Sequence, residues 1–434
     1  MTPHRATAAS SSAAIGPEVG LVVHSHLRWD FVWQRPQQLL SRIAATNPVL
    51  FVEEPITLDD ITEPVLKLST PFPGVTRAIP QLPSSPAYSY DDAIVVVRSL
   101  IAGLLASSPF AEQFQRVVQW FYTPMPAREM LGAFDEIAVV YDCMDELAQF
   151  RFAPSDIGAR ERQLLSQADV VFTGGYRLFE SKSRFHDNVH FFGCGVDARH
   201  FGQARLPATQ IPEDARELAR PVFGYFGVID ERLDYELIRA LAGARPDATV
   251  LMIGPFAKVD PRDLPQASNI RWLGQRDYVD LPNYVKAFDV CLMPFALNEA
   301  TEYINPTKTL EYMAAGKPIV STAVADVVRN FTPIVRIARS PEQFVAAVSG
   351  AAVDTDDTLR TAAIKRAANA SWESIVERMR EIIGDAVSTS ATEPAAQTSG
   401  VADGASTSRQ AAWSARGRTA TSLDLASGTG GAVP

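Results

Sequence analysis

Short apolar runs alternate with amphipathic stretches along most of the chain, and this alternation sets the first expectation. VGLVVHS (19–25), NPVLFVEEP (47–55), RVVQWFYTP (116–124), EIAVVYDC (136–143) and ADVVFTGG (168–175) are brief clusters of β-branched, aliphatic and aromatic residues. Runs of this length, apolar at consecutive positions, read as strands buried on both faces. Between them QRPQQLLSRIAA (34–45) and IGARERQLLSQ (157–167) carry a helical period. A second series begins at Pro221: PVFGYFGVI, ATVLMIGPF, NIRWLGQ, DVCLMPF, KPIVST and PIVRIA. Strands that alternate with helices form parallel sheets with helical cover, so two series predict two α/β domains. Ligands of such sheets bind beyond the C-terminal ends of the strands, and two facing sheets would enclose a cleft there.

The stretch Gln203–Ala219 lacks a clear period and contains Pro207 and Pro212, so it reads as a linker. The expected layout is an N-terminal domain at 18–204, a linker at 205–219 and a C-terminal domain at 220–366. Residues 1–17 are small and polar, and from Asp385 onward Ala, Ser, Thr and Gly dominate. Neither end has the apolar content to offset chain ordering, so both 1–17 and 385–434 are expected to be disordered.

Composition narrows the class. Of 434 residues, 47% are apolar and 21% charged, as in an ordinary globular protein. A net charge of −10 argues against a nucleic-acid binder, which would present a basic face. Cys143, Cys194 and Cys291 are far apart, which suits reduced thiols and gives no zinc site. The N-terminus lacks the apolar centre of a signal peptide. The longest apolar run, Ala93–Ala106, is interrupted by Arg98 and too short to span a bilayer, so a cytoplasmic protein is expected.

The stretch NPTKTLEYMAAGKPIV (305–320) concentrates the chemistry. Asn305 suits an N-cap and Pro306 a first helical position, while Gly316 and Pro318 end the helix before a strand. Lys308 and Glu311 then share one helix face at an end that favours anions. A surface ion pair is the plain alternative.

Six segments in the right order resemble a GT-B glycosyltransferase of the large retaining family known as family 4 or group 1. They are GCGVDARHF (193–201), GYFGVIDERLDYELI (224–238), VLMIGP (250–255), IRWLGQRDYVDLPNYVKAFDVCLMPF (270–295), PTKTLEYMAAGKPIVST (306–322) and NASWESIVERM (369–379). The start, SHLRWDFVWQRPQQLLSRIA, is similar to a bacterial subgroup of teichuronic-acid-type surface-polysaccharide transferases. The resemblance implies two Rossmann-like parallel-sheet domains facing a central cleft, with a crossover helix at 367–384. It also implies transfer from a nucleoside-diphosphate sugar to a saccharide or lipid-linked acceptor, with retention, without a metal or other cofactor. Peripheral contact with the inner membrane face fits a lipid-linked acceptor. Two rivals share this architecture: a non-hydrolysing nucleotide-sugar epimerase and a catalytically degenerate binding module.

By that resemblance Glu311 holds the ribose hydroxyls, and Lys308 faces the diphosphate with Thr307 and Thr309. The acid that contacts the donor sugar in the family falls eight residues earlier, on Tyr303, leaving Glu302 or Glu299 as substitutes. Arg232 stands where the family carries a phosphate-binding Lys, and Lys258 is the candidate second cation. His26, Arg28, Trp33 and Arg35 crowd the first strand-to-helix turn and are candidate acceptor contacts, with Arg suited to phosphate and Trp to a sugar face. Trp29 and Trp33 are also spaced to pack as one apolar helix face. Asp142 and Asp145, at a strand end, are candidate bases for the acceptor hydroxyl, with helix capping the alternative for Asp145. The acidic pairs Asp59–Asp60, Asp91–Asp92 and Asp356–Asp357 do not end apolar strands, and His186, His190 and His200 lack metal spacing.

Overall fold

The computed structural model describes residues 14–85, 87–150 and 153–392. Two sheets organise them. The first holds β1 (Val19–Ser25), β2 (Val49–Glu53), β3 (Ile56–Leu58), β4 (Val65–Phe72), β5 (Val75–Pro83), β6 (Arg116–Phe121), β7 (Ala138–Cys143), β8 (Val170–Thr173) and β9 (Val189–Phe191). Their order is β3-β5-β2-β1-β6-β7-β8-β9, parallel throughout, with β4 antiparallel on β5. The second holds β10 (Val222–Phe226), β11 (Thr249–Ile253), β12 (Ile270–Gly274), β13 (Val290–Met293), β14 (Ile319–Thr322) and β15 (Arg336–Ala338). Its order, β12-β11-β10-β13-β14-β15, is that of a doubly wound sheet.

The expected apolar runs of both series are strands, and β1, β2, β6, β7, β8, β10, β11, β13 and β14 are buried along nearly their whole length. The strands β3, β4 and β5 escaped the pattern because they are partly solvated and their apolar residues are interspersed with polar ones. In both sheets the order reverses at the first strand, between β1 and β6 and between β10 and β13. The loops leaving β1 and β10 line one cleft between the domains.

The first sheet has a core on each face. One contains Trp120, Phe172, Leu39 and Leu40; the other contains Ile94, Val97, Ile101 and Leu164. The run Ala93–Ala106 belongs to the helix Tyr90–Leu105, which buries Ala93, Ile94, Val97 and Ile101. No helix among the described residues is long and apolar enough to cross a membrane. The second core gathers Phe223, Tyr225, Phe288, Leu292 and Tyr312.

The passages between domains lie earlier than the proline-rich stretch suggested. The Val196 amide donates to the Ala370 carbonyl at 2.8 Å, and Val196 bridges Ser371 where the chain returns. Phe201, Ala204 and Ala215 are already part of the second core, so Gln203–Ala219 packs on that domain rather than linking the two. The returning helix, Trp372–Thr392, buries Trp372, Val376, Met379, Ile382 and Ile383 against the first domain. It runs past 384 because Ala386 and Val387 also pack there, which corrects the expected start of the disordered tail. At the other end Ile15 is buried in the same core, and its carbonyl accepts from the Arg380 guanidinium at 3.1 Å. The expectations for 1–13 and 393–434 lie outside the described residues.

Glycine turns shape the cleft edge of the second sheet. Gly227 (φ 142°) and Gly254 (φ 147°) follow β10 and β11, and a Cβ on Gly254 would stand 1.8 Å from the Gly227 carbonyl oxygen. Gly254→Ala should therefore lower thermal stability by about 3 kcal/mol. Gly103, exposed in its helix with open space around its Cα, is the control: Gly103→Ala should raise stability by about 0.5–1 kcal/mol in the same denaturation experiment.

Candidate functional site

The cleft between the two domains encloses about 480 Å³. Its second-domain wall is built from the turn Gly227–Val228, Arg232, the Gly254–Pro255 turn and the start of the helix Lys308–Ala314. Its first-domain wall runs from Trp29 to Arg35 and includes Met144, Asp145, Gly174 and Cys194.

Helix Lys308–Ala314 starts two residues later than expected. Thr307 is its cap position, and Asn305 instead reaches back to the first domain, donating from Nδ2 to the Gly174 carbonyl at 3.0 Å. The Cys194 thiol donates to the Asn305 carbonyl at 3.1 Å. The helix ends as expected at Gly316, whose φ of 67° suits a left-handed cap. The Phe226 amide donates to the Tyr312 hydroxyl at 3.0 Å, which locks the helix to the end of β10.

This anchoring carries Lys308 and Glu311 into the cleft. The Lys308 ammonium lies over the Tyr225 and Phe295 rings, 5.4 Å from each centroid. A Cβ on Gly227 would come within 2.8 Å of Lys308 Cε, so the glycine turn makes the channel for this side chain. Among the described residues neither the Lys308 ammonium nor the Glu311 carboxylate has a hydrogen-bond or ion-pair partner within 4 Å. The alternative of a surface ion pair is therefore not what the structure shows: Glu311 is buried and Lys308 half-buried. Burial lowers the Lys308 pKa, Glu311 opposes that and Arg232 adds to it. Burial raises the Glu311 pKa, with Lys308 opposing. Each group is thus poised to exchange a proton when a ligand changes its surroundings.

Arg232 lines the same wall and is gripped by Asp230, with Nη2 to Oδ2 at 2.7 Å. Burial opposes its charge, but the Asp230 carboxylate outweighs that and keeps the guanidinium protonated. Asp145 faces it from the first domain. Burial raises the Asp145 pKa, Arg232 opposes and Asp230 reinforces the rise. Thr307 and Trp33 also line the cleft. Trp33 packs between Phe72 and Tyr278, so its ring joins the two domains as well as facing the space.

Other expected site residues are elsewhere. Asp142 is fully buried and clamped by Arg35, with Nη2 to Oδ1 at 2.9 Å and Nε to both oxygens at 3.1 Å. Arg35 Nη1 also donates to the Phe192 carbonyl at 2.9 Å. This pair ties the turn after β1 to the end of β7 and to the loop after β9. That engagement leaves Asp142 no role as a base, and Arg35, although it lines the cleft, has its guanidinium committed. Thr309 points into the second core, its hydroxyl 3.5 Å from Met293 Sδ. Glu302 pairs with Arg177, and Tyr303 packs against the core of the first domain, so neither offers the cleft an acid. Lys258 (φ 57°) is not part of the cleft wall; its ammonium lies 5.2 Å from the Phe150 centroid of the first domain. Arg28 bonds Glu53 at 3.0 Å and the Glu54 carbonyl at 2.7 Å. His26 is outside the cleft lining, and burial, aided by Lys258, lowers its pKa to about 4. Among the described residues no three His, Cys, Asp or Glu side chains are grouped to hold a metal ion.

Sequence reading missed Cys194 and the segment Gln275–Tyr278 as cleft residues. Gln275 donates to the Phe31 carbonyl at 2.6 Å, and the Tyr278 hydroxyl accepts from Gln38 at 2.9 Å. Both contacts cross the domain boundary, so no local period could have signalled them.

The Arg35–Asp142 pair gives a direct test of the site's frame. Arg35→Ala should cost about 3–5 kcal/mol in a denaturant titration, because it strands a buried carboxylate. Arg35→Met with Asp142→Leu should recover most of that loss.

Residues 220–354 match the model of the family described as Glycosyl transferases group 1. A putative teichuronic acid biosynthesis glycosyltransferase, TuaH, of Bacillus subtilis is 27% identical over 232 residues, covering 50% of this chain and 57% of that protein. A GDP-mannose-dependent monoacylated alpha-(1-6)-phosphatidylinositol monomannoside mannosyltransferase of Corynebacterium glutamicum is 26% identical over 264 residues, covering 52% and 65%. The chain thus matches less than two thirds of the length of either relative. Among solved structures, sucrose-phosphate synthase of Thermosynechococcus elongatus superposes with a TM-score of 0.63 at 16% identity, over 85% of this chain and 99% of that one. That likeness concerns the fold, and the family match concerns the second domain. The chain has the two-sheet fold of GT-B proteins, and the part of it that matches the group 1 glycosyltransferase model lies in the second domain.

Proposed function

We propose that the protein transfers a sugar from a nucleoside-diphosphate sugar to a saccharide or lipid-linked acceptor in cell-surface polysaccharide or glycolipid synthesis. The observation that carries this reading is the pair Lys308 and Glu311 in the cleft wall, the first half-buried and the second buried, with no hydrogen bond or ion pair to another side chain among the described residues. A ribose offers two adjacent hydroxyl donors to a carboxylate, and a diphosphate offers its oxygens to an ammonium and a guanidinium. Glu311 takes the ribose in this reading, while Lys308 and Arg232 take the diphosphate, with Thr307 beside them.

The mechanism we infer retains the anomeric configuration and needs no metal. As the sugar–phosphate bond lengthens, negative charge grows on the leaving diphosphate, and Lys308 and Arg232 stabilise it. The acceptor hydroxyl attacks from the face the diphosphate is leaving. Asp145, whose burial raises its affinity for a proton, orients that hydroxyl from the first domain. Closure of the domains excludes water from the donor. A lipid-linked acceptor, such as the one in the name of the corynebacterial relative, would bring a cytoplasmic enzyme to the inner membrane face.

The test is release of nucleoside diphosphate from UDP-, GDP-, dTDP- and ADP-sugars, in EDTA, with saccharide and membrane-lipid acceptors. Acceptor-dependent release from one donor, reduced at least a hundredfold by Lys308→Ala, is the expected result. Interconversion of the donor sugar without acceptor would instead identify an epimerase. Nucleotide binding without turnover would identify a binding module, consistent with the acids at Glu299 and Glu302 lying outside the cleft lining.

The pH dependence of donor affinity follows from these two cleft groups. Binding should weaken on the alkaline side as Lys308 loses its proton, well below the ordinary lysine value of about 10.4. It should weaken on the acid side as Glu311 gains one, well above the ordinary glutamate value of about 4.3. Lys308→Arg should remove the alkaline limb and Glu311→Gln the acid limb in isothermal titrations across pH.

A further inference from the structure

One rim of the cleft is closed by contacts that the transfer chemistry does not use. Helix Tyr176–Lys182 in the first domain begins after Gly175, which has no side chain to cap it. Its first amide, that of Tyr176, donates to Asp326 Oδ2 at 2.7 Å. Asp326 belongs to the second domain, on the helix Ala325–Phe331 that follows β14, and is only 1% exposed. The Arg329 guanidinium from the same helix lies 3.2 Å from the centroid of the Tyr176 ring. Arg177 pairs with Glu302, and Asn305 donates to the Gly174 carbonyl at 3.0 Å. The fit is close enough to require the glycine: a Cβ on Gly175 would stand 2.9 Å from the Tyr303 carbonyl oxygen and 3.1 Å from Asp326 Oδ2.

We propose that Asp326 is a positioning residue that holds the cleft closed, capping a helix of the opposite domain and releasing it when the domains part. An N-cap contact of this kind favours the capped state by about fivefold to tenfold. Here it forms only while the two domains meet, so its free energy favours the closed arrangement directly. The same rim carries Asn305, three residues before Lys308, so closure sets the Lys308 helix against the first-domain wall that bears Asp145. When the domains separate, the Tyr176 amide faces water and Asp326 regains its hydration. The latch is thus weak enough to open in each turnover yet specific to one relative placement of the domains.

Two readouts on the full chain test this without any substrate, so the result stands apart from the transfer reading. Amide hydrogen exchange at Tyr176–Phe179 should become about tenfold faster in Asp326→Ala, and the small-angle scattering radius should increase. Asp326→Asn retains an acceptor oxygen and should restore both. Gly175→Ala should enlarge the radius by wedging the rim apart, which covers the case in which Asp326→Ala fails to fold. Faster exchange with an unchanged radius would show a local cap only and overturn the proposal. Unchanged exchange and radius in Asp326→Ala would overturn it equally.

Discussion

A half-buried ammonium held over two aromatic rings is the constraint around which the second domain is arranged. Lys308 reaches the cleft because Gly227 leaves room for its stem and because Tyr225 and Phe295 offer their ring faces to its charge. Such ring contacts contribute about 0.5–2 kcal/mol, which offsets only part of the cost of taking the ammonium out of water. The cleft therefore disfavours the charged forms of Lys308 and Glu311, a cost that a ligand with phosphate and hydroxyl groups would relieve. Stability given up in the free protein becomes binding free energy for that ligand.

The rest of the fold keeps this arrangement rigid. Tyr312 fixes the Lys308 helix to the end of β10, and Asp230 aims Arg232 along the same wall. On the opposite side the Arg35–Asp142 pair holds the turn after β1, where Trp33 and its neighbours form the facing wall. Contacts across the boundary then set the gap: Gln38 with Tyr278 on one side, Asp326 with Tyr176 on the other. Among the described residues, the charged cleft groups with no ion-pair partner include Lys308, Glu311, Asp145 and the exposed Asp277, with Arg232 shared between Asp230 and the cleft.

Much of this was legible in the chain, for physical reasons that differ by element. Parallel strands such as VVFT (β8) are apolar at consecutive positions because both faces are covered, and β1, β7, β10 and β13 announced themselves that way. The partly solvated strands β3 to β5 did not. Lys308, Glu311, Arg232, Asp145, Thr307 and Trp33 are all at the cleft, because a strand end or helix start is a local feature. The misplaced residues failed where a partner distant in sequence decided the outcome. Asp142 has the sequence context of a base until Arg35, 107 positions earlier, occupies it. Glu302 has the context of a sugar ligand until Arg177 takes it, and Asn305 that of a cap until Gly174 does. The passage at Val196 was hidden for the same reason, since only Ala370 and Ser371 mark it.

The central claim, that Lys308 and Glu311 form a nucleotide-sugar site, is tested most directly by calorimetry of nucleoside diphosphate binding in EDTA, in two buffers of different ionisation enthalpy. A bound diphosphate stabilises the protonated lysine and a bound ribose stabilises the ionised glutamate. The account therefore predicts proton uptake on the alkaline side and proton release on the acid side, with the first lost in Lys308→Met and the second in Glu311→Gln. Binding of the nucleotide with no buffer-dependent heat at any pH, or with heats unchanged in both variants, would contradict it.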